Sequence, residues 1–169
     1  KLNMVVLRGV NEPELLDLVE FAIERGVEVR FLEVMPIGVA AERGQEWFVP
    51  GAEVKARIQT RYRVEPLPRL PGSTCRSFAV MDRAGIVGRI GFISACSEPF
   101  CHDCGRLRLT SDGRLLGCLA TDSGVPVRAL LSSGPDGLAQ LATVIGDIIA
   151  RKKIRDTFCQ PQPMGAIGG

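Results

Sequence analysis

Three cysteines, Cys101, Cys104 and Cys118, stand in the spacing C-x2-C-x13-C within FCHDCGRLRLTSDGRLLGCLA, and that spacing constrains the fold more than any other feature of the chain. Two cysteines separated by two residues can hold one metal centre from a single tight turn. The third joins them only if the chain reverses direction in between. Ser111-Asp112-Gly113 supplies the reversal, because glycine adopts a positive φ at little cost. The expected unit is a hairpin of Arg106 to Thr110 against Arg114 to Ala120, with thiols on both limbs.

Three readings of the thiols follow from the spacing. A structural zinc site takes four protein ligands, so zinc would also recruit His102, Cys75, Cys96 or Cys159. A 4Fe-4S cluster held by three cysteines leaves one iron open to substrate. The third reading is that they are small buried residues. Arg106 and Arg108 bear on the choice, since alternate strand residues share a face while Leu107 and Leu109 take the other. Two forked, planar guanidinium groups there would make an anion site suited to phosphate or a base edge. Without the cysteines they would read as a solvated strand face.

The remaining composition excludes several classes. Six cysteines could form three disulfides in a secreted chain, but no charged-then-apolar leader is visible and the close pair favours reduced, metal-binding thiols in the cytoplasm. A net charge of +2 is too small for binding nucleic acid or membrane by bulk electrostatics. No apolar run reaches the roughly 18 residues of a membrane span. With 169 residues, 46% of them hydrophobic, the chain has material for a core of its own. Lys1 stands directly inside an apolar alternation, so a preceding segment is expected.

Along the chain, Leu2 to Leu7 reads as a buried strand. Asn11-Glu-Pro-Glu14 has the form of a helix start with Asn11 as cap, and Leu15, Leu16, Val19, Phe21, Ala22 and Ile23 give an apolar helical face that Gly26 ends. Val27 to Val34 is the next strand, so the segment predicts a βαβ unit with parallel strands. Beyond Met35-Pro-Ile-Gly38 the pattern changes. Ala52 to Tyr62 predicts a helix, Glu65 to Gly72 a proline-rich stretch, and Ser77 to Met81 with Ile86 to Ser94 an antiparallel hairpin. Pro126 to Leu131 and Leu138 to Lys153 read as helical before a Pro- and Gly-rich tail ending in Gly168-Gly169.

The stretch FISACSEPFCHDCGRLRLTSDGRLLGCLA, together with KLNMVVLRGVNEPELLDLVEFA, VRFLEVMPIG and the terminal IGG, resembles the GTP 3',8-cyclase family of radical S-adenosylmethionine enzymes, in order and spacing from end to end. The resemblance implies an α/β fold: the last βαβ part of an incomplete TIM-like barrel over residues 1–40, followed over 41–169 by an α+β extension with antiparallel strands and an auxiliary cluster. It implies that Cys101, Cys104 and Cys118 hold a 4Fe-4S cluster whose open iron binds the guanine of GTP. Arg106, Leu107 and Arg108 then match the GTP-binding stretch, and Lys1 and Arg30 match basic residues facing the nucleotide. Met35 matches a residue that contacts S-adenosylmethionine. Gly168 and Gly169 match a catalytic tail inserted into the active site.

The implied activity is conversion of GTP to 3',8-cyclo-7,8-dihydroguanosine 5'-triphosphate, a lyase step of molybdenum cofactor (molybdopterin) biosynthesis. It requires S-adenosylmethionine, a second 4Fe-4S cluster, an N-terminal barrel half and a reductant as electron donor, in a cytoplasmic homodimer. The family holds that other cluster with C-x3-C-x2-C, and the sequence has no such motif, so the chain alone is expected to be inactive. The bland alternatives are a solvated terminus for Lys1, a carboxylate partner such as Glu33 for Arg30, core packing for Met35 and a disordered terminal tail. At the level of the whole chain the alternative is a standalone zinc or iron–sulfur module without catalysis.

Overall fold

A computed structural model of the chain describes residues 1–101, 104–120 and 124–152. His102, Cys159, Gly168 and Gly169 lie outside the described residues. The chain opens with β1 (Leu2–Val6), a short 3-10 turn at Glu12–Glu14, α1 (Leu15–Arg25) and β2 (Val29–Glu33). β1 and β2 pair in parallel with Asn3 opposite Arg30 and Val5 opposite Leu32, as the βαβ reading predicts.

Gly26 ends α1 at φ +63°, and its N–H and that of Val27 return to the last-turn carbonyls of Ile23 and Ala22. That left-handed residue is the reason the helix stops there. Its start differs from expectation. Asn11 does not cap it; its Oδ1 accepts the Leu7 N–H at 2.8 Å while its Nδ2 donates to the Val5 carbonyl at 2.9 Å. Asn11 therefore seals the exit of β1, a local side-chain-to-backbone bond that competes with capping. Leu15, Val19 and Ala22 are buried, whereas Phe21 is 45% exposed with the Arg25 guanidinium over its ring.

After β2 come α2 (Ala40–Trp47), α3 (Gly51–Gln59), β3 (Arg63–Pro66), β4 (Arg76–Asp82) and β5 (Gly85–Ile93). β4 and β5 form the predicted hairpin, with a register irregularity at Val80/Met81. The hairpin does not stand apart. β5 pairs in parallel with β2, giving one mixed sheet in the order β1-β2-β5-β4-β3 that runs across residue 40. β3, expected as the start of a proline-rich loop, is the antiparallel edge strand, with Pro66 at its last position, where proline is tolerated.

Alternation gives the sheet two different faces. Val29 and Phe31 of β2 share one face with Ile90 and Phe92 of β5, and the core forms there against α1 and α3 through Leu15, Val19, Val54 and Ile58. Phe92 meets Phe31 and Phe78 at ring-centroid distances of 5.9 and 5.4 Å. The opposite face carries Asn3, Val5, Arg30 and Leu32, with Val5 43% exposed.

A second antiparallel sheet follows: β6 (Arg108–Leu109), β7 (Arg114–Leu116) and β8 (Val125–Pro126) in that order. Gly113 at φ +86° makes the turn between β6 and β7, as its position predicts. The hairpin is shorter than expected. Thr110 shortens it, because its hydroxyl accepts the Arg114 N–H at 2.8 Å and its own N–H goes to the Arg114 carbonyl, closing the ladder near the turn. Helices α4 (Arg128–Leu131) and α5 (Gly134–Ala150) complete the described chain. Among the described residues no helix is long and apolar enough to cross a membrane.

Candidate functional site

The segment leading to the cysteines is fixed by a buried carboxylate. Glu33 ends β2 on the core face and is only 4% exposed. Its Oε1 accepts the Gly51 N–H at 2.8 Å, and its Oε2 accepts the N–H groups of Cys96 and Ser97, both at 2.9 Å; the Ser97 hydroxyl also donates to it. One side chain thus ties the start of α3 to the chain leaving β5. Glycine at 51 leaves room for this, because a Cβ there would crowd the Ser94 hydroxyl and force it to turn away. From Ser97 the chain has four residues to Cys101.

Cys101 and Cys104 belong to one turn, closed by the Cys104 N–H on the Cys101 carbonyl at 3.3 Å. Cys118 follows β7, and its Sγ accepts the Ala120 N–H at 3.4 Å. All three residues are half-buried. Among the described residues no three Cys, His, Asp or Glu side chains stand close enough to hold one metal ion, so the three thiols are not gathered at one point. The donor set nevertheless suits a cluster by residue type: three cysteines close in sequence, with the Ala120 N–H on the Cys118 sulfur and the Lys152 ammonium 3.9 Å from the Cys104 sulfur.

The two other described cysteines behave differently. The Cys75 thiol is pushed up chiefly by burial, and the Cys96 thiol is pushed up to about 11 by burial and then by the Glu33 charge. Cys96 also donates to the Val34 carbonyl at 3.6 Å. At pH 8 both are expected to react with iodoacetamide far more slowly than an unfolded cysteine, as peptide mapping by mass spectrometry would show. Equal rates would contradict the assignment. Because the folded Cys96 value lies above the unfolded one, its contribution to stability is full below about pH 9 and is lost as pH rises through about 11.

Arg106 and Arg108 do not share a strand face as the alternation predicts, because β6 begins only at Arg108. The Arg106 guanidinium instead donates to the hydroxyl of Thr74, a residue that sequence reasoning passed over. Thr74 lines a cavity of about 270 Å³ with Arg69, Arg76, Phe92, Ser94 and Phe100, the last adjoining Cys101. Leu107 and Arg108 are half-buried.

Arg30 points from the open sheet face, and its Nε binds Glu28 Oε1 at 2.6 Å. Glu28, and not Glu33, is its partner because 28 and 30 share a face while 33 falls on the opposite one. The Glu28 hydrogen bond holds the Arg30 guanidinium charged, raising its pKa. Gly91 makes room for this pair, since a Cβ there would collide with the Cys75 sulfur and lie 3.2 Å from Arg30 Cγ. Lys1 precedes β1 by one residue and is exposed; its parity with Asn3 puts it on the same open face as Arg30. Met35 packs with Leu119 against Ile37 and Leu116, at the end of β7 from which Cys118 follows.

The chain matches the family model described as Molybdenum Cofactor Synthesis C over residues 27–158. It is 38% identical to a protein named GTP 3',8-cyclase from Moorella thermoacetica, in an alignment covering 100% of the chain and 52% of the relative. A GTP 3',8-cyclase from Ectopseudomonas mendocina is 34% identical over 99% of the chain and 50% of its own length. One from a Synechococcus species is 42% identical over 79% of the chain and 38% of its own length. The chain spans about half the length, or less, of these curated relatives. The match over most of its residues, through the cysteine hairpin and α5, establishes that the chain belongs to the Molybdenum Cofactor Synthesis C family.

Proposed function

We propose that the chain supplies the nucleotide-holding part of a GTP 3',8-cyclase that acts in molybdenum cofactor biosynthesis. Cys101, Cys104 and Cys118 would hold a 4Fe-4S cluster, and when bound it would offer an open iron to the guanine of GTP. Arg106 and Arg108 leave the same loop as the cysteines and hold the nucleotide by forked, charge-assisted donors, with Leu107 against the base. Lys1 and Arg30 present positive charge from the open sheet face toward the phosphates. Met35 would contact S-adenosylmethionine, and Gly168 and Gly169 would serve as the catalytic pair of the tail. S-adenosylmethionine, a second 4Fe-4S cluster and the reductant's entry point fall to the remainder of a longer, homodimeric protein in the cytoplasm. The barrel and extension boundary near residue 40 belongs to the same reading.

The role of these residues is to bind and orient GTP so that its ribose and base meet in one reactive geometry. The observation that carries this reading is the continuity of the loop. Cys104 is tied to Cys101 by their shared turn, and Arg106, two residues on, is anchored to Thr74 beside the cavity. A metal-bound base and an arginine-bound anion would therefore be held by one segment.

The test is the iron, sulfide and zinc content of the anaerobically purified protein, with spectra before and after GTP. About four irons for this site and a GTP-dependent spectral change are expected. One zinc and no response to GTP would replace this reading with a structural metal module.

A further inference from the structure

Helix α5 is 17 residues long, and its last turn lies against the cysteine hairpin. A Cβ on Gly117 would come within 2.6 Å of Ile148 Cγ2, so the helix packs closely on the limb that carries Cys118, over a position with no side chain. Two residues beyond the helix, Lys152 reaches the other limb. Its Nζ donates to the Cys104 carbonyl at 3.0 Å and to the Arg106 carbonyl, and it stands 3.9 Å from Cys104 Sγ. An ammonium has three donors and no acceptor, and here two of them close a loop over Gly105.

We infer that Lys152 is a positioning residue that clamps the Cys104–Arg106 segment from across the hairpin. Resting on the proposed roles of Cys104 and Arg106, the inference gives one cation two tasks. By holding the carbonyls at both ends of Gly105 it sets the direction in which the Arg106 side chain leaves the backbone, toward Thr74. By standing beside the Cys104 sulfur it places positive charge next to a cluster ligand, which favours the reduced, more negative form of a cluster. Glycine at 105 has no side chain to hold this turn by itself, and nothing in the basic run Arg151-Lys152-Lys153 past a helix end singles out Lys152 for the role in the sequence.

The experiment uses the full-length protein reconstituted with iron and sulfide, as wild type, Lys152→Met and Lys152→Arg. Lys152→Met keeps the aliphatic stem, so folding and iron content are expected to persist. Its amides from Cys104 to Leu107 are expected to exchange hydrogen about tenfold faster, and its affinity for GTP to fall about tenfold, because both ammonium hydrogen bonds to the segment are lost. The midpoint potential of the cluster shifts to a more negative value, and Lys152→Arg recovers part of each change. Exchange or potential unchanged in Lys152→Met would overturn the inference. Exchange is read equally well without iron, so a wild type that binds no cluster would defeat the proposed function and leave the clamp to be decided by that measurement.

Discussion

Replacing Glu33 with alanine is expected to lower the unfolding free energy by about 3–5 kcal/mol, because three backbone N–H groups lose their acceptor and each one left unsatisfied costs about 1–3 kcal/mol. The loss has three parts that act together. The N–H groups of Gly51, Cys96 and Ser97 lose their acceptor, the first of them buried at the start of α3. Cys96 is left beside a cavity. The junction between α3 and the exit of β5 is no longer fixed, so the cysteine turn is released as well. Glu33→Gln should recover only part of the loss, because an amide has one acceptor oxygen for the donors that two carboxylate oxygens now serve. Urea denaturation followed by circular dichroism reads the difference. Against the 5–15 kcal/mol that stabilises ordinary domains, the alanine variant would be marginal. A change below about 1 kcal/mol would mean that water replaces the carboxylate at no cost, and Glu33 would not be the tie that the geometry describes.

How much of this was legible in the sequence depends on the range of each signal. The βαβ start, the β4–β5 hairpin and the turn at Gly113 were legible because each rests on a local period or a glycine with positive φ. The parallel pairing of β2 with β5 was not, because it joins segments some sixty residues apart with nothing local to announce it. Helix α2 was missed for a related reason. AAERGQEW has Gly44 in its interior and little apolar periodicity, and Ala40–Trp47 buries no residue completely. At the site, the cysteines and arginines were visible from residue type and spacing. Glu33 was named only as a possible partner of Arg30, though its parity with the buried Val29 and Phe31 could have shown that a carboxylate ends on the core face. Glu28 was legible by strand parity with Arg30, whereas Thr74 and Lys152 act through contacts with residues far along the chain, and single-residue patterns carry no trace of those.

Cys104→Ala is expected to abolish the proposed cluster of this hairpin, taking the iron assigned to it from about four atoms to near none. Neither of the other two described cysteines replaces Cys104, because Cys75 and Cys96 have thiols whose pKa burial raises and sit on other elements. Affinity for GTP should fall with the iron, since an open iron disappears with its cluster. The informative comparison is Arg106→Ala, which leaves all three thiols in place. It is expected to keep the iron and lose about tenfold to a hundredfold in GTP affinity, the effect of removing a charge-assisted, forked donor. The pair therefore separates holding the metal from holding the nucleotide, by iron analysis and equilibrium binding on the same preparations. Iron retained in Cys104→Ala would end the assignment of that residue as a ligand. Iron lost in Arg106→Ala would show instead that the loop from Cys101 to Arg106 folds as one unit, whose Arg106–Thr74 contact is needed to present Cys104 at all.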